Sequence, residues 1–323
     1  LDTDPLVKSG TAERGLTVQE AKQRGIITPA ERARYADDLE LAGEIEFRDV
    51  SFTYPDSREA MLEHISFTAN RGDTVAIIGS TGSGKSSLIN LVPRFYDATD
   101  GEVLVDGVNV REYDLKTLRD KIGYVPQRSF LFKGTVESNV SYGDRPDEPE
   151  DVPVIDVSRM SGRKAEREFL KAGEARELTA QEANRVREAS DIAQATEFVS
   201  KMPKGFQSPI AQGGTNVSGG QKQRLSIARA VYRDPEILIF DDSFSALDFK
   251  TDREVRDALK ETAKDATKLI VAQRVGTIMD ADCILVLEDG KVVGQGTHRE
   301  LLETCEVYQE IAKSQLSEEE LSA

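Results

Sequence analysis

The sequence predicts an α/β fold built on a parallel core sheet, and three observations carry that prediction. From Glu44 the apolar period becomes two, "EIEFRDVSFTY" alternating as a half-buried strand does. Short apolar runs follow at 73–79, 102–105, 122–126, 236–241, 268–272, 283–288 and 291–294, with helical stretches between several of them. One of these runs passes through a glycine-rich turn straight into a helix, in "TVAIIGSTGSGKSSLINLV".

In chain order, residues 1–43 form a polar arm rich in Ala, Arg and Glu, with a short helix entered at Thr28-Pro29. The α/β region occupies 44–316 and includes a helical stretch at about 128–233. That stretch holds a charged insertion at about 145–190, which opens as an acidic, proline-rich loop. Its apolar residues are too sparse for a core of their own, which predicts a solvated helix or hairpin, or else an element that docks on a partner domain. Residues 317–323 are an acidic tail.

Composition bounds the function. A chain of 323 residues buries a real core. Its net charge of −16 argues against nucleic acid or an anionic membrane surface as an electrostatic partner. No apolar run approaches the roughly 18 residues that span a bilayer. No signal-peptide pattern opens the chain. Leu1 stands where a Met would begin a gene product, so a piece of a longer polypeptide is expected. Two cysteines, Cys283 and Cys305, exclude a disulfide framework and a Cys-based zinc site, and they fit a reducing, cytosolic setting.

Gly79, Ser80, Thr81, Gly82, Ser83, Gly84, Lys85 and Ser86 match G-x-x-x-x-G-K-[ST], the phosphate loop, with Ser87 following. Glycines let successive backbone N–H groups converge on phosphate oxygens, and the helix N-terminus adds a favourable dipole. Lys85 is placed to reach the β and γ phosphates, and the Ser86 hydroxyl to hold Mg²⁺. "PEILIFDDS" supplies the complement, a buried strand that delivers Asp241 as a second Mg²⁺ ligand.

"NVSGGQKQRLSIARAVYRDPEILIFDD" resembles the signature region of ATP-binding cassette (ABC) proteins, with Val217 for the usual leucine. The resemblance covers about 44–316. It implies a P-loop NTPase of the ABC type, with a mixed core sheet around the phosphate-loop helix, an antiparallel β subdomain and an α-helical signature subdomain. ATP and Mg²⁺ are the implied ligands. Ser218, Gly219, Gly220 and Gln221 would close on ATP held by a second nucleotide-binding domain. Tyr54 resembles the aromatic that stacks on adenine, Gln127 the glutamine that approaches Mg²⁺, and Asp248 in "SALD" the residue at the dimer seam. "LRDKIGYVPQRSFLFKGTVESNV" looks like the exporter branch, whose ATP-binding domains are fused to membrane helices. The arm beginning "LDTDP" would follow such a membrane domain, placing this part at the cytoplasmic face of a membrane. The segment before the signature, where Gln212 replaces the usual acidic residue, would face the coupling helices.

Two positions depart from the family pattern, and both belong to one catalytic half-site. Asp242 stands where glutamate usually activates water, and Gln273 where histidine usually touches a phosphate. Aspartate is one methylene shorter, and glutamine donates a hydrogen bond but cannot carry a proton. His64 and His298 read as structural residues rather than substitutes. The pair predicts a degenerate, weakly hydrolysing site in one half of a heterodimeric exporter. The alternatives are a homodimeric exporter with Asp242 as a working base, a soluble cassette ATPase without membrane partner, and a purely regulatory ATP-binding module.

Overall fold

The computed structural model describes residues 42–143, 178–317 and 321. The helix expected after Thr28-Pro29, the rest of the N-terminal arm, the front of the charged insertion and most of the acidic tail lie outside them. The chain divides into two compact units.

The first unit takes in described residues to Gln127, then 235–245 and the chain from Ala263 onward. It contains two sheets. An antiparallel sheet is formed by β1 (Ile45–Phe52), β2 (Leu62–Ala69), β4 (Asp100–Val105) and β5 (Val108–Asn109), in the order β2-β1-β4-β5. A six-stranded sheet is formed by β3 (Thr74–Gly79), β6 (Ile122–Val125), β9 (Ile237–Asp241), β10 (Thr267–Val271), β11 (Cys283–Glu288) and β12 (Lys291–Gly296). Its order is β12-β11-β3-β10-β9-β6, and every pairing but β11 with β12 is parallel. Each run read from sequence as a strand is a strand of one of these sheets, and β2 and β5 are strands beyond those runs. The expected mixed core sheet and antiparallel subdomain are present.

The core forms between the sheets. Val75 and Ile77, Ile237 and Ile239, Leu269 and Val271, and Leu285 and Leu287 share one face of the large sheet by their two-residue period. They pack with Phe47, Phe67, Leu88 and Ile89, Phe47 and Phe67 stacking at 4.7 Å between ring centroids. The alternate residues, Ala76, Ile78, Leu238, Phe240, Ile284 and Val286, are buried as well, so both faces of the sheet are covered. That is why its strands read as continuous apolar runs rather than alternating ones. Helices α1 (Lys85–Asn90), α2 (Leu115–Asp120), α8 (His298–Thr304) and α9 (Glu306–Gln315) belong to this unit.

The second unit covers described residues of 128–234 together with 246–262. It holds α3 (Val136–Val140), α4 (Ala180–Ile192), α5 (Thr196–Ser200), α6 (Gly219–Tyr232), α7 (Phe249–Thr262) and a short ribbon of β7 (Gly134–Thr135) with β8 (Pro209–Ile210). The back of the charged insertion is α4, which Thr179 and Glu182 cap reciprocally. Its few apolar residues fall on one face, so Val186 and Ala189 are buried and α4 packs against α6. Arg229 of α6 is partly buried, and its guanidinium is held on several sides. It donates to the Asn139 carbonyl at 2.8 Å, the Asn139 amide oxygen at 2.9 Å and the Phe130 carbonyl at 3.0 Å. Burial lowers its pKa to about 10.

Candidate nucleotide site

The phosphate loop begins where β3 runs out. A Cβ on Gly79 would lie 2.0 Å from the Leu287 carbonyl oxygen on the paired strand β11, so only glycine passes there. Gly84, at φ +98°, is the N-cap of α1, and a Cβ on it would strike Leu62. Between them Ser80, Thr81 and Gly82 are exposed, and the space around Gly82 is open. Lys85 folds back over the loop and donates to the carbonyls of Gly79 at 2.9 Å and Ser80 at 2.5 Å. Burial lowers its pKa, and the nearby carboxylates of Asp242 and Asp241 oppose that shift.

Ser86 donates to Asp241 Oδ1 at 2.8 Å, joining the two residues expected to hold the metal. The other carboxylate oxygen, Oδ2, accepts from the Tyr124 hydroxyl at 3.4 Å, which also donates to Asn90 Oδ1 at 3.0 Å. Burial raises the Asp241 pKa, while the bonds from Ser86 and Tyr124 hold it down. Burial beside Asp241 likewise raises the Tyr124 phenol. Tyr124 lies inside the stretch "IGYVPQ" but was not singled out from the sequence. A tyrosine near the carboxyl end of a largely buried strand is the signal that finds it.

Asp242 follows at φ +46°, its N–H bonded to the Val271 carbonyl at 3.0 Å. The side chain is 7% exposed. Its Oδ2 accepts from Gln273 Nε2 at 2.6 Å and from Gln127 Nε2 at 3.3 Å. Topology explains the convergence. β6, β9 and β10 are consecutive parallel neighbours, and Gln127, Asp242 and Gln273 each lie within two residues of a strand's carboxyl end. A cavity beside them is lined by Asp242, Phe244, Gln273 and Arg274 among others.

Tyr54 is half-buried rather than presented as a free ring. Its hydroxyl is 2.8 Å from Ser87 Oγ, and its ring meets Phe52 and Tyr96 edge-on. His64 pairs with Asp49 at 2.8 Å and is exposed, and His298 pairs with the Tyr308 hydroxyl at 2.7 Å. Neither touches the loop residues or Asp242.

In the second unit Ser218 caps α6. Its hydroxyl accepts from the Gln221 N–H at 3.3 Å, and its own N–H donates to the Gln221 side chain at 2.9 Å. Nothing lies within 4 Å of where a Gly219 Cβ would be, so that backbone can be approached closely. Asp248 is exposed and caps α7, accepting from the Thr251 N–H at 3.0 Å and its hydroxyl at 2.8 Å, bonds that lower its pKa. Gln212 accepts from the Lys133 N–H at 3.1 Å.

The residues of the loop fit a nucleoside triphosphate with a divalent cation. An exposed, glycine-opened turn ends on a lysine bonded mainly to loop carbonyls, and a hydroxyl and a carboxylate meet beside it as hard oxygen donors. The fold is that of a P-loop NTPase domain. The ABC transporter family matches residues 62–245, and the chain belongs to that family as an ATP-binding domain.

Among known proteins, the chain is 45% identical over 275 residues to an uncharacterized ABC transporter ATP-binding protein of Mycobacterium tuberculosis, covering 85% of this chain and 42% of that protein. It is 39% identical over 276 residues to an ATP-dependent lipid A-core flippase of Vibrio vulnificus, again covering 85% of this chain and 42% of the relative. The structure of a bacterial Atm1-family ABC exporter with ATP bound superposes with a TM-score of 0.71 at 30% identity, over 93% of this chain and 49% of that one. The chain spans less than half the length of these relatives.

Proposed function

We propose that this chain is the ATP-binding domain of an exporter at the cytoplasmic face of a membrane, and that its own catalytic half-site is degenerate. It dimerises with a second nucleotide-binding domain that carries glutamate and histidine at the positions of Asp242 and Gln273. Ser218, Gly219, Gly220 and Gln221 complete the partner's site, and Asp248 lies at the seam. Segments such as that around Gln212 meet the coupling helices of membrane domains. The likeness to exporters with fused membrane parts supports the transport role.

The observation that carries the reading is the hydrogen bond of 2.6 Å from Gln273 to Asp242. A general base needs a free lone pair aimed at water. Here Oδ2 is occupied by two amides that neither take nor return a proton, and the remaining oxygen sits on a side chain one methylene shorter than glutamate, so it reaches less far toward water. Lys85 and the loop N–H groups bind the phosphates, and Ser86 and Asp241 hold Mg²⁺, with Gln127 beside them. The ion supplies charge neutralisation on the β and γ oxygens when bound. Binding is intact, and proton removal from water is weak.

The test is single-turnover ATP hydrolysis by the chain at high concentration, with Mg-ATP affinity measured in parallel. The native chain is expected to bind well and cleave slowly, and Asp242→Glu with Gln273→His to raise cleavage by about 10²- to 10⁴-fold. Brisk cleavage by the native chain would make Asp242 a working base and favour a homodimer.

A further inference from the structure

Gln315, the last residue of α9, makes two hydrogen bonds that the site reading leaves unused. Its Nε2 donates to the Gln273 carbonyl at 2.9 Å, and its Oε1 accepts from the Val275 N–H at 2.8 Å. One primary amide thus clamps the backbone on either side of Arg274. It supplies a donor and an acceptor in the order a neighbouring strand would, just after β10 has ended at Val271. The clamp has a fixed base. α9 is anchored by Tyr308 and Ala312, both fully buried, and Gln315 falls seven residues beyond Tyr308 on the same helical face.

What the clamp holds matters because of geometry. The Gln273 side chain reaches Asp242 Oδ2 at 2.6 Å, so the position of the 273 backbone sets the position of its amide. Arg274 is tied down as well, donating to the Ser245 carbonyl at 2.9 Å. The loop is therefore held from the chain after β9 on one side and from α9 on the other.

We propose that Gln315 is a positioning residue for Gln273, through which the terminal helix sets how Gln273 meets Asp242. The inference rests on Gln273 being part of the nucleotide site. It does not depend on whether that site is degenerate. Gln315 is itself exposed, so water competes for its partners and the clamp is of modest strength. That suits an element whose hold on Gln273 can be released when α9 shifts.

The chemistry of the amide supplies the test. Gln315→Glu is isosteric and keeps the acceptor for Val275, but at neutral pH it replaces the donor to the Gln273 carbonyl with a negative oxygen. Below its own titration the carboxylic acid regains a donor. The experiment follows the Gln273 side-chain amide signals by NMR, assigned by their loss in Gln273→His, together with hydrogen exchange of the Val275 amide. In Gln315→Ala, and in Gln315→Glu at pH 7, the Gln273 signals are expected to move toward those of a free amide. Val275 exchange should quicken by about tenfold, the thermal midpoint staying within a few degrees. Gln315→Glu at pH 4 should return both readings toward wild type.

Unchanged Gln273 signals and Val275 exchange in the folded Gln315→Glu chain at pH 7 would overturn the proposal. An effect that is the same at pH 4 and pH 7 would also overturn it, since packing alone would then explain it. Failure of the degenerate-site reading shows instead as ATP cleavage by the native chain, a separate measurement.

Discussion

Gln273 Nε2 lies 2.6 Å from Asp242 Oδ2, which makes the glutamine a donor to the carboxylate that follows Asp241, the proposed metal ligand. The bond is neutral to charged, and such bonds contribute about 1.5–3 kcal/mol. The Asp242 backbone sits at φ +46°, its N–H bonded to the Val271 carbonyl, a conformation that costs an aspartate little and a β-branched residue much more.

Replacing the donor should expose that contribution. Gln273→Ala is expected to lower stability by about 1–2 kcal/mol at any pH between 5 and 8. Gln273→Glu sets a second carboxylate against Asp242, which raises a pKa of the pair. Its stability should then fall below that of Gln273→Ala at pH 8 and approach it at pH 5. Urea titrations at the two pH values measure this, and a Gln273→Glu curve independent of pH would contradict it.

Ser86 and Tyr124 grip opposite oxygens of Asp241, at 2.8 Å and 3.4 Å. Ser86→Ala removes a proposed metal ligand and should weaken Mg-ATP binding by about 10- to 100-fold while leaving metal-free ATP binding nearly unchanged. Tyr124→Phe removes only an orienting bond and should weaken Mg²⁺ dependence by about tenfold or less. Calorimetric titrations with and without Mg²⁺ separate the two. Equal losses with and without the ion would remove the metal role from Ser86.

Burial pushes the Asp106 carboxyl up to about 6, against the pull of Lys121 at 2.8 Å. The Gly43 N–H also bonds it, at 2.6 Å. A folded-state pKa above the unfolded value of 3.8 means the folded chain takes up the proton first. Stability from this group is therefore gained as pH falls through about 6 and lost as pH rises through it. Wild type should lose stability relative to Asp106→Asn between pH 5 and pH 7.5. A constant difference across that range in urea unfolding would refute the assignment.

Arg229 is partly buried, with three backbone or amide acceptors around it and the Phe132 ring 5.1 Å from its guanidinium carbon. Arg229→Met takes the donor from the Asn139 and Phe130 carbonyls, while the Asn139 amide oxygen keeps the Phe132 N–H at 2.8 Å, and should destabilise the helical unit by about 2–3 kcal/mol. Arg229→Lys restores charge but not the fork, and should recover less than half. Chemical denaturation followed by circular dichroism reads both. A change under 1 kcal/mol for Arg229→Met would show that water replaces the guanidinium.

The sequence alone determined the strands, the phosphate loop and the capped signature helix. Each is written in contiguous residues, where an apolar period, a glycine spacing or a Ser218–Gln221 capping pair needs only its neighbours to act. Asp242 and Gln273 stood out only against the pattern of the family that the signature region resembles. The back of the charged insertion is helical, as its sequence suggested, but its sparse apolar residues did not reveal which face of α4 is buried, since that is decided by α6. The meeting of Gln127, Asp242 and Gln273 on one carboxylate was a tertiary outcome. Those residues are far apart in the chain, and only the neighbouring order of β6, β9 and β10 brings their strand ends together. The same holds for Gln315, whose amide is one polar side chain among many until the packing of Tyr308 and Ala312 sets α9 beside the Gln273 backbone. Local pattern fixes which atoms a segment offers, whereas long-range packing fixes which of them meet.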